Sequence, residues 1–201
     1  MDFKLHRIFT GRMGSNAYLV SFGSLAAAID AGMGSALADY AEKNKLKIEM
    51  CLLTHGHFDH IGACAELQRR GTKIGISEKD ADKLYTGNNL GGEFGVETEP
   101  LHPDFTFRGG EEIDFHGFSF RVLETPGHSA GSVCFLTPLG IFSGDTLFCG
   151  GVGRTDFYDG DPDALSASLA ALFAAEEDAP VYPGHGFSTT LKREKETNPY
   201  L

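Results

Sequence analysis

No apolar run in this 201-residue chain approaches the roughly 20 residues that cross a bilayer. Its opening, Met1-Asp2-Phe3-Lys4-Leu5-His6-Arg7, lacks the continuous apolar stretch of a secretory signal. Both absences predict a cytosolic protein with no membrane partner. Positive charge is also scarce: 17 Lys and Arg stand against 28 Asp and Glu, a formal net charge of -11. Such a surface repels phosphate backbones, and no Lys/Arg cluster marks a groove for one, so nucleic acid is not expected as a partner. Only four cysteines occur, Cys51, Cys64, Cys134 and Cys149, with no C-x-x-C pair. That spacing argues against a disulfide framework and against a cysteine zinc site, and it reads most of them as small buried hydrophobes.

What is present suits a globular fold. Hydrophobic residues make up 41% and charged residues 22%, and the length fits one domain built from two similar halves, about 1–100 and 101–201. Apolar and alternating runs at 3–9, 17–22, 25–29 and 46–53 predict strands, with a helix over 35–43. Further helices are predicted over 61–70, stopped by Gly71, and over 77–85, where Ser77 and Asp80 stand in capping-box spacing. From Thr86 to Pro103 the chain is rich in Gly, Asn, Glu and Pro without a period, which predicts a long loop and a seam between the halves. Strands follow at 112–115, 118–124, 132–137 and 140–142. Asp161-Pro162 then opens a helix running to Ala175, Val181-Tyr182 forms a short strand, and a last helix runs from Ser188. Sheets covered by amphipathic helices make an α/β architecture the expected fold class.

Five of the eight histidines, His55, His57, His60, His128 and His185, fall at turn-like junctions near strand ends, beside Gly56, Gly127, Gly184 and Gly186. Core histidines would instead sit inside apolar patterns. In His55-x-His57-x-Asp59-His60, four ligand-type side chains occur within six residues, just past a strand ending in Leu52-Leu53. A loop there can turn them inward. Imidazole and carboxylate at that density suit zinc or a related transition metal. A solvated loop with incidental histidines is the usual answer for a lone His, and four together make it a poor one here.

Three further segments bear on the question: Thr125-Pro126-Gly127-His128-Ser129-Ala130-Gly131-Ser132, Ser143-Gly144-Asp145-Thr146-Leu147-Phe148 and Tyr182-Pro183-Gly184-His185-Gly186. In order and spacing, these and the His55–His60 segment resemble the motifs of the metallo-β-lactamase superfamily, in particular its glyoxalase II-like branch. The resemblance extends to Asn16-Ala17-Tyr18, Ile29-Asp30-Ala31-Gly32, Gly153-Arg154-Thr155-Asp156-Phe157 and Asn198-Pro199-Tyr200. It implies an αββα sandwich of two sheets covered by helices. It also implies two divalent ions, zinc first, with iron or manganese as alternatives.

By that resemblance His55, His57 and His128 hold one ion, Asp59, His60 and His185 the other, and Asp145 bridges them. Asp30 resembles the family's acid that fixes ligand histidines by hydrogen bonds, although a strand-end turn residue would look the same. Water shared by two cations becomes a nucleophile at neutral pH, and Asp59 would orient it toward the carbonyl of a small thioester or ester. Arg154 is the cation best placed in sequence to meet a substrate carboxylate. Lys192 and Arg193 read as a solvated helix face, and His102 as an exposed loop residue. The chain ends at Leu201, short of the helical extension with which full-length glyoxalase II enzymes grip glutathione.

Several rivals remain at this stage. Gly127-His128-Ser129-Ala130-Gly131 matches the G-x-S-x-G nucleophile elbow, which would make Ser129 the nucleophile of a serine hydrolase. That motif needs a helix after the turn, whereas Ser132 to Leu136 reads as a strand. Within the superfamily, His57 argues against flavodiiron proteins, His60 and Asp145 against the main β-lactamase class, and the acidic charge against nucleases of the ribonuclease Z type. Persulfide dioxygenases share these histidines but use one iron, which His55, His128 and Asp145 would bind. A binding module without activity is also conceivable on any fold, though a decayed site would have lost at least one ligand type.

Overall fold

Alternating apolar residues at the start of the chain produce an antiparallel meander of β1 (Lys4–Thr10), β2 (Ser15–Phe22) and β3 (Leu25–Ile29). Helix α1 (Ala36–Lys43) then crosses over and returns the chain parallel to β3 as β4 (Lys47–Leu52). It buries Leu37, Ala38 and Ala41 in the core beside Ala26, Ala28 and Leu53. Two short helices, α2 (Phe58–Ile61) and α3 (Cys64–Arg69), make a second crossover into β5 (Lys73–Ser77), parallel to β4. Helix α4 (Lys83–Thr86), a 3-10 turn (Gly91–Phe94) and the edge strand β6 (Phe105–Phe107) complete a six-stranded sheet ordered β1-β2-β3-β4-β5-β6. The computed structural model describes residues 2–201, which divide into two compact units, 2–106 and 107–201.

The second unit repeats this logic. A meander of β7 (Glu112–Phe115), β8 (Phe118–Glu124), β9 (Val133–Thr137) and β10 (Gly140–Gly144) is antiparallel throughout. A small ribbon, β11 (Leu147–Phe148) with β12 (Gly151–Val152), precedes helix α5 (Pro162–Ala175). Asp161 caps that helix, its carboxylate accepting from the amides of Asp163 and Ala164 at 2.9 Å each. Strand β13 (Pro180–Pro183) returns parallel to β10, and β14 (Thr189–Thr190) and α6 (Leu191–Thr197) close the chain. The sheet order is β14-β13-β10-β9-β8-β7. Among the described residues, no helix is long and apolar enough to cross a membrane.

The expected α/β class holds, with four local corrections. Ser77 does not cap a helix: it ends β5, a strand absent from the sequence reading, in which Ile74 and Ile76 are wholly buried. Sheet pairing with β4 outweighs the local capping signal there, and the helix shrinks to Lys83–Thr86. The helix expected over 61–70 begins earlier, at Phe58, and breaks at Gly62, so Asp59 and His60 lie on a short helix rather than a loop. The final helix starts at Leu191, after β14. The long segment from Thr86 to Pro103 belongs wholly to the first unit, whose boundary falls beyond it at Thr106.

Candidate metal centre

Parallel strands end side by side, and side chains just past their carboxyl ends converge. In the first unit β3 and β4 are such a pair, and Asp30 and Thr54 follow their ends. Asp30 adopts φ 57°, the left-handed region, which costs a non-glycine residue roughly 1–2 kcal/mol. That geometry aims its carboxylate at the next turn. Oδ1 accepts from the Thr54 amide at 2.8 Å, Oδ2 from the Thr54 hydroxyl at 2.9 Å, and Oδ2 also from His60 Nδ1 at 2.8 Å. A carboxylate only accepts, so His60 carries its proton on Nδ1 and presents Nε2 as a lone pair. Thr54 donates to Asp30, so it accepts from His55 Nδ1 at 3.1 Å, and His55 is thereby set as the same tautomer.

The four ligand-type residues of this segment are packed together. The His55 ring lies 4.6 Å from that of His57 and 4.2 Å from that of His60, centroid to centroid. One ligand atom of His55 comes within 4.8 Å of one from His57, as it does for His60, and Asp59 and His60 meet the same limit. His55, His57 and His60 are 3% exposed or less and Asp59 is 8% exposed. The Ser15 hydroxyl on β2 donates to the Asp59 carbonyl at 2.8 Å, which ties α2 to the sheet. Buried imidazoles, two of them fixed in the same tautomer, with a carboxylate among them, are the donor chemistry that divalent transition metals take, so the residues fit a metal.

In the second unit β10 and β13 are the parallel pair, and Asp145 and His185 follow their ends. Asp145 Oδ2 lies 3.5 Å from His128 Nε2 and 3.5 Å from His185 Nε2. His128 donates Nδ1–H to the Arg154 carbonyl at 2.8 Å, which again leaves Nε2 as the presented atom. Gly153 packs so tightly on the Asp145 carbonyl that any Cβ there would overlap it, so backbone alone fits. Glu194 and Asn198 on and after α6 anchor the same loop, Glu194 Oε2 accepting from Gly150 N at 2.8 Å and Asn198 Nδ2 donating to Gly151 O at 3.0 Å.

Arg154 does not join these donors. Its exposed guanidinium forks onto Asp156, Nε to Oδ1 at 2.6 Å and Nη2 to Oδ2 at 2.5 Å, and lies 4.4 Å above the Phe157 ring. Those hydrogen bonds pull the Asp156 carboxyl down to about 2. A lowered pKa contributes above the ordinary carboxylate value and is lost only as pH falls toward 2, so the pair persists at all neutral and mildly acidic pH. Arg154→Ala is expected to return the Asp156 titration, followed by NMR of its carboxyl carbon, to the ordinary range near 3.9. A midpoint still near 2 in that variant would mean another group holds it.

A family model described as "Metallo-beta-lactamase superfamily" matches residues 10–185. The chain belongs to the metallo-β-lactamase superfamily. A relative in Haemophilus influenzae, "Hydroxyacylglutathione hydrolase GloC", is 38% identical over 88% of this chain and 87% of its own length. Among solved structures, the BLEG-1 B3 metallo-β-lactamase superposes with a TM-score of 0.92 at 31% identity, covering 98% of this chain and 99% of that one. TTHA1623, solved in a di-iron-bound form, gives 0.88 at 36% identity, covering 98% of this chain and all of that one. The two mixed sheets with flanking helices are those of the superfamily's α/β sandwich.

Ser129 is buried, bonds to the Ser132 hydroxyl at 2.8 Å, and is followed by strand β9 rather than a helix, so it lacks the setting of a nucleophile elbow. His102 is exposed and stacks on Tyr85, and Lys192 and Arg193 are exposed. Cys51, Cys64 and Cys134 are fully buried, and burial pushes the Cys134 thiol up to about 11. The sequence pattern gave no sign of Ser15, Lys83, Asn89 or Glu194, and marked Asp80 only as part of a helix start. Each is a polar residue that looks solvated in sequence and proves buried.

Proposed function

We propose that this metallo-β-lactamase superfamily member is a thioester hydrolase of the glyoxalase II type, and that its two donor sets serve one centre of two divalent ions. The observation that carries the reading is the donor chemistry: His55, His60 and His128 all present Nε2, their Nδ1 atoms being spent on protein acceptors. Its coincidence with a 38% identical relative called a hydroxyacylglutathione hydrolase supplies the substrate class. His55, His57 and His128 would hold one ion, Asp59, His60 and His185 the other, with Asp145 between them. When bound, such ions supply Lewis acidity and a nucleophilic water at neutral pH; zinc is the ion proposed, with iron or manganese able to take the same donors.

The chain's own residues set the rest. Asp59, tied by its carbonyl to Ser15, would orient the attacking water through its carboxylate. The burial of His55, His57 and His60 lowers the local dielectric, which strengthens charge interactions at these side chains. A thiolate leaving group departs without a proton donor, in keeping with the absence of an assigned general acid. Arg154, held in one geometry by Asp156 and Phe157, is proposed as the cation for a substrate carboxylate.

The test joins metal analysis of protein purified without chelator to assays of lactoylglutathione hydrolysis. About two ions per chain are expected, as a two-metal site requires, with activity lost on chelation and regained on adding zinc. No bound metal, one iron with oxygen uptake on glutathione persulfide, or turnover of a β-lactam alone would each overturn the proposal.

A further inference from the structure

His57 is bracketed by two backbone hydrogen bonds to acceptors outside the donor set. On its amino side the Gly56 amide donates to Asp80 Oδ2 at 2.8 Å, and on its carboxyl side the Phe58 amide donates to the Asn89 carbonyl at 2.9 Å. Asp80 is fully buried, and its other oxygen accepts from Lys83 Nζ at 2.9 Å; Lys83 is itself only 3% exposed. A Cβ at Gly56 would lie 2.7 Å from Lys83 Cδ, 2.8 Å from Lys83 Cβ and 3.2 Å from the Asp80 carbonyl, so the two turns lie flush. Asn89 links back to the same turn through Nδ2 to the Lys83 carbonyl at 3.3 Å, and onward to Thr98 Oγ1 at 2.7 Å.

A buried Asp–Lys pair is a poor stabiliser, since well-packed apolar residues often replace one at no loss of stability. Stability alone therefore does not account for the pair. The charged acceptor makes the bond to Gly56 stronger than a neutral one would, and that bond fixes the plane of the peptide joining His55 to Gly56. We propose that Asp80, locked by Lys83, is a positioning residue for the metal loop: through the Gly56 amide it sets the backbone angles from which the His55 and His57 imidazoles project. The inference rests on the reading of His55 and His57 as metal ligands.

The test uses the full chain, stripped of metal, and measures zinc affinity by competition with a chromophoric chelator alongside circular dichroism. Asp80→Leu/Lys83→Met removes charge and acceptor together. It is expected to fold and to bind zinc about 10- to 100-fold more weakly, the usual effect of losing support behind a metal ligand. Asp80→Asn/Lys83→Met keeps an oxygen for Gly56 and should stay within about threefold of wild type, as a neutral hydrogen bond retains most of the geometry. A folded Leu/Met variant with wild-type affinity overturns the proposal, as does equal weakening of both variants. Should the Leu/Met variant not fold, amide exchange in the metal-free wild-type chain decides: Gly56 protected like the β4 amides supports the brace, and exchange at the rate of an open loop overturns it. A wild-type chain that binds no zinc would fell the metal reading itself, whereas failure in the variants alone leaves that reading standing.

Discussion

Asp145→Ala lowers the bound metal from about two ions per chain to one or fewer and slows thioester hydrolysis by about 10³-fold, because it removes the one carboxylate proposed to serve both ions. The residue leaves β10 at its carboxyl end, and its Oδ2 is equally distant from His128 and His185, at 3.5 Å. Its backbone has no room to shift, since Gly153 packs directly on its carbonyl. Asp145→Asn keeps the shape and loses the charge, so it should fall between wild type and alanine in both metal content and rate. Metal analysis with steady-state kinetics on the three proteins checks the series. Unchanged metal in Asp145→Ala would show that the residue does not hold both ions.

Asp30→Ala is expected to cost about 2–6 kcal/mol of stability, because the Thr54 amide and His60 Nδ1, both buried and fixed in direction, lose their acceptor at about 1–3 kcal/mol each. Relief of the left-handed backbone does not offset this, since alanine is no better suited to φ 57° than aspartate. Zinc affinity should fall about 10- to 100-fold as well, because the His55 and His60 tautomers are no longer fixed. Asp30→Asn tolerates the same φ and keeps one acceptor oxygen, and so should lose less on both counts. Thermal unfolding of the metal-free proteins and chelator competition measure the two effects separately. An alanine variant that melts and binds zinc like wild type would reduce Asp30 to a turn residue.

The sequence was most legible where local chemistry and tertiary structure agree. Strands β3, β7 and β8 and helix α5 lie where alternation and the Asp161-Pro162 cap predict them, because period and end signals there face no competitor. The metal segment was legible as a density of donor types, and the family as the order of its motifs. The failures have physical causes. Ser77 and Asp80 carry a genuine capping signal, but β5 recruits the first for its ladder, and the Gly56 amide and Lys83 claim the second. Strands as short as β11, β12 and β14 have no period to read. Asp30 offered two readings in sequence, and only its partners across 24 and 30 positions of chain distinguish them.

Those long-range partners bear on how separable the metal segment is from its scaffold. A peptide copied from Leu52 to Gly62 would carry all four ligand-type residues but neither the carboxylate of Asp30, from the end of the neighbouring strand, nor that of Asp80, from the turn after β5. Without them the histidines have free choice of tautomer and rotamer, and the segment is only a flexible polar stretch. The proposed binding property thus belongs to the junction of three chain segments, and a linear copy of one of them would not carry it.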